Sequence, residues 1–283
     1  MTLILGIDGG GSGCRAVIAD RSGRVLGHGA AGPANAWTDP DGARRNLLAA
    51  VEAALSETGS GAGPNELHAV LGLAGANVPG VAERLAAGLP FARCRIETDA
   101  AIAIRGALGR DDGVVAALGT GSVYGVQRDG RIRTIGGWGF VIGDQGSGAR
   151  IGRALLEDAL LAHDGLLDTT PLLEGVVAAA GGPGELVAEA RDAAPADFAA
   201  RVPAVIAAAD RGDPAARRIL DDAEAAVTRA IDRLRDGGTL GVCFIGGLGS
   251  LYAARMARRY GAAIRSPAGS ALDGALAMAR ELP

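Results

Sequence analysis

The chain has 283 residues, of which 48% are hydrophobic and 21% charged, with a formal net charge of −4 at pH 7. This is the composition of a folded globular protein, and an acidic chain with 3% aromatic residues is a poor match to a nucleic-acid or anionic-membrane partner. All 28 basic residues are arginines, which excludes a lysine-dependent Walker A loop, a pyridoxal Schiff base and a lysine nucleophile.

An internal repeat organises the sequence. Residues 3–27 and 114–136 each read as an apolar strand, a glycine-rich turn with a hydroxyl residue, a second strand, a tight turn and a third strand. The tight turns, at residues 21–24 and 128–131, contain Ser-Gly and Asp-Gly, which favour hairpins. Two copies this far apart predict a duplicated domain rather than a solenoid of short repeats.

Helical and strand-like patterns alternate around the two copies. The predicted helices are 39–57, 80–87, 100–108, 149–162, several short ones within 183–214, then 215–235, 251–260 and 271–282; the further strands are 68–73, 93–98 and 241–245. This alternation predicts an α/β fold. We expect an N-terminal domain of residues 1–110, completed by the C-terminal helix at 271–283, and a nucleotide-binding domain of residues 111–270.

The glycine-rich turns predict phosphate binding. The first turn, Asp8 followed by residues 9–13, leads into a strand and not a helix, so it is not a dinucleotide fingerprint. Glycines let backbone N–H groups approach a phosphate, whereas Asp8 would repel one unless Mg²⁺ lies between them, directly or through water. The turn at 119–122 repeats this pattern, and Gly246–Gly249 is a weaker candidate for a nucleoside-binding edge. Ordinary hairpins and a close strand–helix turn are the alternatives.

We expect neither secretion nor a membrane span. The N-terminal apolar run lacks a basic region and ends at Asp8, and no uninterrupted apolar stretch approaches ~18 residues, so a cytoplasmic protein is expected. Cys14, Cys94 and Cys243 lie far apart without a paired pattern, which disfavours an iron–sulfur site built from one chain.

Three further segments are distinctive. They are Gly136-Gly-Trp-Gly-Phe-Val-Ile-Gly-Asp144-Gln-Gly-Ser-Gly148, Thr98-Asp99-Ala100 and Gly32-Pro-Ala-Asn35. Together with the glycine-rich turns they resemble the superfamily of actin, hexokinase and the heat-shock chaperone ATPases. Within it, the chain is similar to the branch of N-acetylglucosamine kinases, bacterial glucosamine kinases and BadF/BadG-type ATPases. The resemblance implies a duplicated ribonuclease H-like, actin/hexokinase-type fold of two domains with an interdomain cleft.

The resemblance also implies an ATP- and Mg²⁺-dependent amino-sugar kinase that phosphorylates the 6-hydroxyl, and a homodimer. Asp99 would be the general base. The implied phosphate- and nucleotide-binding residues are Asp8, Gly10, Gly11, Ser12, Thr120, Gly121, Gly246 and Gly247, with Ser12 in the place of a common threonine. The implied sugar-binding residues are Asn35, Gly137, Trp138 and Asp144.

Several alternatives stay open at this level. Asp99 could act only as the N-cap of the helix that follows it, Asp144 could be a turn residue, and Trp138 could belong to the core. The protein could instead be an activator ATPase of acyl-CoA dehydratases or a non-catalytic sugar or ATP sensor. Glucosamine and N-acetylglucosamine are not distinguished, although residues 75–77 are a candidate wall for the 2-substituent.

Overall fold

The computed structural model describes residues 3–283, which form ten strands and twelve helices. The chain divides into two compact units. Unit 1 consists of the described residues up to Gly113 together with Gly125–Thr134 and Ser266–Pro283, and unit 2 consists of Val114–Tyr124 and Ile135–Arg265.

Unit 1 is built on a five-stranded sheet with the order β3-β2-β1-β4-β5. Its strands are β1 (Leu3–Gly9), β2 (Cys14–Asp20), β3 (Val25–Ala31), β4 (Leu67–Leu73) and β5 (Arg93–Thr98). The first three strands pair antiparallel, whereas β1, β4 and β5 run parallel. The carboxyl ends of these parallel strands therefore meet at one edge, which is where open α/β sheets generally bind ligands.

Helices cover both faces of this sheet. They are α1 (Pro40–Thr58), α2 (Val81–Ala86), α3 (Asp99–Leu108) and, from the end of the chain, α12 (Ala271–Arg280). Because successive strand residues point to opposite faces, Leu5 and Ile7 join the core that includes α1 residues, whereas Ile4 joins the core with α3 and α12. Gly6 has no side chain on that second face, where a Cβ would lie 3.1 Å from the Cβ of Ala275.

The second sheet has the order β10-β9-β6-β7-β8. Its strands are β6 (Gly113–Leu118), β7 (Ser122–Arg128), β8 (Arg131–Gly136), β9 (Gly241–Ile245) and β10 (Ile264–Arg265). Read from the β8 edge, the chain order is the same as in the first sheet. The duplicated two-domain α/β fold of actin/hexokinase type, predicted from the repeat and the resemblance, is confirmed.

Unit 2 contributes the remaining helices. They are α4 (Gly148–His163), α5 (Pro171–Ala180), α6 (Pro183–Asp192), α7 (Pro195–Ala199), α8 (Val202–Asp210), α9 (Pro214–Arg235), α10 (Gly249–Arg255) and α11 (Ala257–Tyr260). None of the helices within residues 3–283 is both long and apolar enough to cross a membrane. The strand and helix predictions agree with the observed elements within a few residues, but α5 and the two-residue β10 were not predicted.

Candidate functional site

The first glycine-rich turn joins β1 to β2 at the carboxyl edge of the unit 1 sheet. The Gly10 N–H donates to the Gly13 carbonyl (2.9 Å), and the Gly10 carbonyl accepts from Ala34 (2.8 Å), so the turn is fixed by its own backbone. No atom lies within 4 Å of where a Cβ would stand at Gly10 or Gly11, and Ser12 is exposed. The turn therefore leaves backbone and a hydroxyl open to a ligand.

Asp8 and Arg15 face each other across this turn. They are paired residues of β1 and β2, and Nη2 of Arg15 donates to Oδ2 of Asp8 at 2.6 Å. The Asp8 side chain is 21% exposed and the Arg15 side chain 67%, so both remain accessible from solvent. The pairing of Asp8 with Arg15 depends on the antiparallel register of β1 and β2, which the sequence alone does not reveal.

Asp8 fits a magnesium ion that is shared with phosphate groups. The described residues contain no group of three or more His, Cys, Asp or Glu side chains that could hold a metal, so the chain offers no all-protein metal cage in residues 3–283. Mg²⁺ is commonly held by one or two carboxylates plus phosphate oxygens and water. An accessible carboxylate directly before an open glycine turn matches that requirement.

Asp99 begins α3 where β5 ends, at the same sheet edge as Asp8. Thr98, and not Asp99, is the N-cap: its hydroxyl accepts from the Ala101 N–H at 3.1 Å. The Asp99 carboxylate accepts from Ala100 at 2.8 Å. Desolvation raises the pKa of Asp99, the Ala100 N–H opposes that effect, and the negative charge of Asp8 adds to it.

Asn35 lies in the loop that connects β3 to α1. Backbone bonds on either side of it, from Ala34 to Gly10 and from Ala36 to the Ala74 carbonyl (2.9 Å), hold this loop against the ends of β1 and β4. The Asn35 Oδ1 accepts from the N–H groups of Trp37 (3.0 Å) and Thr38 (3.1 Å). The side-chain carbonyl is therefore used in a local turn, and the amide NH₂ is the group that remains for a ligand.

The second turn, between β6 and β7 in unit 2, is tied to the start of α4. The N–H groups of Gly148 and Ala149 donate to the carbonyls of Gly119 (2.8 Å) and Thr120 (3.1 Å). Ser122 is buried, and its hydroxyl donates to the Gln145 carbonyl at 2.9 Å. The segment 136–148 is thus anchored on this turn.

Asp144 adopts a left-handed backbone conformation with φ of 57°. Desolvation raises the pKa of its carboxyl, and hydrogen bonds from the N–H groups of Ser122 and Gly139 together with the nearby Arg150 oppose that effect. A Cβ on Gly121 would lie 2.9 Å from Oδ2 of Asp144, so the carboxylate lies directly beside this turn. The structure therefore brings Asp144 together with the second turn, while Trp138 in the same segment is 73% exposed and does not belong to the core.

The segment 136–148 has two tyrosine anchors that the sequence reasoning missed. The Tyr124 hydroxyl donates to the Gln145 carbonyl at 2.7 Å, and the Tyr252 hydroxyl donates to the Gly146 carbonyl at 2.6 Å. Desolvation raises the pKa of Tyr124 to about 12, so this hydroxyl keeps its proton at neutral pH. Nothing in the local sequence signals these long-range contacts.

The third turn follows β9 and lies beside the second turn. The Leu248 N–H donates to the Leu118 carbonyl at 2.9 Å, and Leu118 directly precedes Gly119. Gly246 has a φ of 86°, and a Cβ there would lie 2.4 Å from the Leu118 carbonyl oxygen, whereas Gly247 faces open space. Within unit 2, the structure therefore brings together Thr120, Gly121, Gly246 and Gly247. Within unit 1, it brings together Asp8, Gly10, Gly11, Ser12, Asn35 and Asp99.

The environments of the three cysteines bear on the activator-ATPase alternative. Cys14 and Cys243 are buried, and burial raises the pKa of Cys94 and of Cys243 to about 11. Thiols buried in this way do not face a surface where a second chain could share a metal cluster with them, which does not favour the activator-ATPase alternative.

Comparisons with known proteins agree with one another. Over 284 residues the chain is 31% identical to a glucosamine kinase of Vibrio cholerae, an alignment that covers 99% of this chain and 96% of that enzyme. It is 32% identical to an N-acetylmuramic acid/N-acetylglucosamine kinase of Clostridium acetobutylicum over 62% of this chain and 58% of that one. A solved structure from Chromobacterium violaceum, provisionally described as an N-acetylglucosamine kinase, matches with a TM-score of 0.87 and 31% identity over 99% of both chains.

The family assignment rests on most of the chain. The family model of the BadF/BadG/BcrA/BcrD ATPases matches residues 5–257, a range that includes all three glycine-rich turns and the segments around Asn35, Asp99 and Asp144. With this match and a relative that aligns over nearly its full length, the chain belongs to the BadF/BadG/BcrA/BcrD ATPase family.

Proposed function

We propose that this protein transfers the γ-phosphoryl group of ATP to the 6-hydroxyl of an amino sugar, with Asp99 as the general base. The substrates in the names of the relatives are glucosamine, N-acetylglucosamine and N-acetylmuramic acid, which share the amino-sugar ring. The observation that carries the proposal is the position of Asp99: Thr98 is the N-cap of α3, and Asp99 shares a sheet edge with the Asp8 turn.

The chemistry follows from these groups. Asp99 accepts the proton of the attacking sugar hydroxyl as the new P–O bond forms and the bond from the γ-phosphorus to the β,γ-bridging oxygen breaks, which leaves ADP. A positioned base of this kind contributes roughly 10²–10⁴-fold to the rate, and positioning and electrostatics supply the larger share in phosphoryl transfer. Bound Mg²⁺ would neutralise charge on the phosphate oxygens.

The other predicted residues receive binding roles. In unit 1, Gly10, Gly11 and Ser12 bind the β- and γ-phosphates, Asp8 holds Mg²⁺ directly or through water, and Asn35 donates to a sugar hydroxyl. In unit 2, Thr120 and Gly121 bind phosphate, Gly246 and Gly247 contact the nucleoside, and Gly137, Trp138 and Asp144 contact the sugar. The anchoring of segment 136–148 on the second turn supports a shared role for the two.

A sugar panel tests the proposal. Purified protein with Mg²⁺ and ATP is assayed for ADP release with glucosamine, N-acetylglucosamine, N-acetylmuramic acid and glucose, and the product is identified by phosphorus NMR. We expect release that depends on an amino sugar and a 6-phosphate product. ADP release that is indifferent to every sugar would support an ATPase and contradict the proposal.

We also propose a homodimer, on the family resemblance alone. Sedimentation equilibrium of the purified protein tests this directly, because one chain has a mass of 28.2 kDa. A species of twice that mass is expected, and a monomer at all micromolar concentrations would contradict it.

A further inference from the structure

A cavity of about 310 Å³ in unit 1 lies beside the proposed sugar contact Asn35. Its lining includes Ala36 and Trp37, the two residues that directly follow Asn35. Gly75 packs closely against Asn35 and Trp37, because a Cβ there would lie 2.7 Å from both the Asn35 Oδ1 and the Trp37 Cβ. If Asn35 binds the sugar, a substituent of that sugar could therefore enter this cavity.

The apolar part of the cavity fits a short carbon chain. Val81 and Leu85 of α2 and Ala36 are buried, with exposed fractions of 3%, 5% and 1%. Trp37 is 56% exposed and lines the same space. An indole beside an aliphatic lining offers a large apolar surface for contact with a ligand.

The polar part of the cavity carries a net positive charge. Arg44 and Arg84 line it together with a single acidic residue, Asp41. Nη2 of Arg44 donates to Asp41 at 2.8 Å, and both of these side chains are partly or largely exposed. Among the described residues, Arg84 has no carboxylate within ion-pair distance, so its guanidinium is available. Guanidinium groups bind carboxylates through paired, charge-assisted hydrogen bonds.

We propose that this cavity is a subsite for a carboxylate-bearing substituent of the amino sugar, in which Arg84 and Arg44 bind the acid and Trp37 contacts its carbon chain. The inference rests on the proposed function and deepens it, because it makes carboxyalkyl derivatives of amino sugars the preferred substrate class.

The test compares one acid with its neutral form. The probes are N-acetylmuramic acid, its methyl ester and N-acetylglucosamine, and the proteins are the wild type, Arg84→Met and Arg45→Met. Arg45 is the matched control because it is an exposed neighbour on α1 that does not line the cavity. Thermal melting confirms that each variant is folded.

We expect the wild type to have a kcat/KM for the acid about tenfold or more above that for its ester, the size of one charge-assisted contact. Arg84→Met should remove this preference mainly through KM, and Arg45→Met should keep it. Equal values for acid and ester in the wild type, or the same preference in Arg84→Met and Arg45→Met, would overturn the subsite.

The two proposals fail separately. If N-acetylglucosamine is phosphorylated but the acid has no advantage over its ester, the subsite is wrong and the kinase proposal stands. If no sugar is phosphorylated, the kinase proposal is wrong. The subsite is then tested by calorimetry, which compares the binding of the acid with that of its ester in the same three proteins.

Discussion

At the scale of single residues, Asp99 shows what a sequence can and cannot supply. Thr98-Asp99 before an apolar helix offers two candidate caps, and both side chains are acceptable at an N-cap. Only the structure shows that the Thr98 hydroxyl caps α3 and that Asp99 bonds to Ala100. The choice depends on backbone torsions at the strand–helix junction, which residue types alone do not determine.

The pKa of Asp99 predicts an unusual effect on stability. Desolvation raises this pKa in the folded state, so the folded protein binds the Asp99 proton more tightly than the unfolded chain does. The contribution of Asp99 to stability therefore declines as the pH rises from its pKa in the unfolded chain through its pKa in the folded protein. Because Asp99 is also exposed to solvent, solvent screening keeps the penalty on its ionised form at pH 7 small. We expect Asp99→Asn to melt at or above the wild-type temperature at pH 7, and this difference should shrink towards pH 4.

Asp20 is a control whose pKa is shifted in the opposite direction. Hydrogen bonds from the Ser22 side chain and from neighbouring backbone N–H groups lower its pKa despite the opposing effect of desolvation. Its contribution to stability is present above the unfolded-state pKa and is lost as pH falls. Asp20→Asn should therefore lower the melting temperature at pH 7. A lower melting temperature for Asp99→Asn as well would contradict the assignment of Asp99 as a desolvated carboxylate.

At the scale of elements, glycines set how closely α3 and α12 approach. A Cβ on Gly274 would lie 1.9 Å from the Ile102 carbonyl oxygen, and a Cβ on Gly106 would lie 1.8 Å from the Ser270 carbonyl oxygen. These contacts are between backbones, which cannot move aside as a flexible side chain can. Because α3 carries Asp99 at its first residue, this close packing also fixes the position of the proposed base.

Two glycine-to-alanine changes test that packing. Gly274→Ala should destabilise the protein by about 1–3 kcal/mol, the usual cost of overpacking. Gly175 is exposed within α5, and nothing lies within 4 Å of its Cβ position, so Gly175→Ala should stabilise by about 0.4–1 kcal/mol. Chemical denaturation measures both, and equal effects of the two substitutions would contradict the account of the α3–α12 contact.

The predictable elements are those with a strong local pattern. The apolar face of α9 and the apolar runs of β1 and β9 identify these elements because each buries a continuous stripe or face. Helix α5 carries a Thr170–Pro171 start and a Gly181 end that could have identified it, although Gly175 interrupts the helical composition. Strand β10 has only two residues, and its pairing with β9 is what defines it.

At the scale of the whole molecule, the repeat was the most informative feature. It predicted the duplication, and the identical strand order of the two sheets confirms it. The contacts that join separate segments could not be predicted, because nothing local specifies them. Examples are the Arg15–Asp8 pair, the Tyr252 bond to Gly146 and the packing of Gly75 against Asn35.

The absence of lysine also has a structural counterpart. The first turn offers open backbone at Gly10 and Gly11 and an accessible Asp8, and the only basic side chain bonded to that carboxylate among the described residues is Arg15. The chain can thus hold phosphates through backbone N–H groups, hydroxyls and Mg²⁺ without a lysine. This arrangement is consistent with the proposed kinase activity and with the family to which the chain belongs.

The most direct test of the central claim compares the wild type with Asp99→Asn in two measurements on the same preparations. These are the rate of phosphoryl transfer from ATP to the amino sugar and the dissociation constant for that sugar. We predict a loss of roughly 10²–10⁴-fold in kcat with a dissociation constant that changes by less than about threefold, because asparagine keeps the shape of the side chain but cannot accept the proton. Transfer by Asp99→Asn at the wild-type rate would contradict the account.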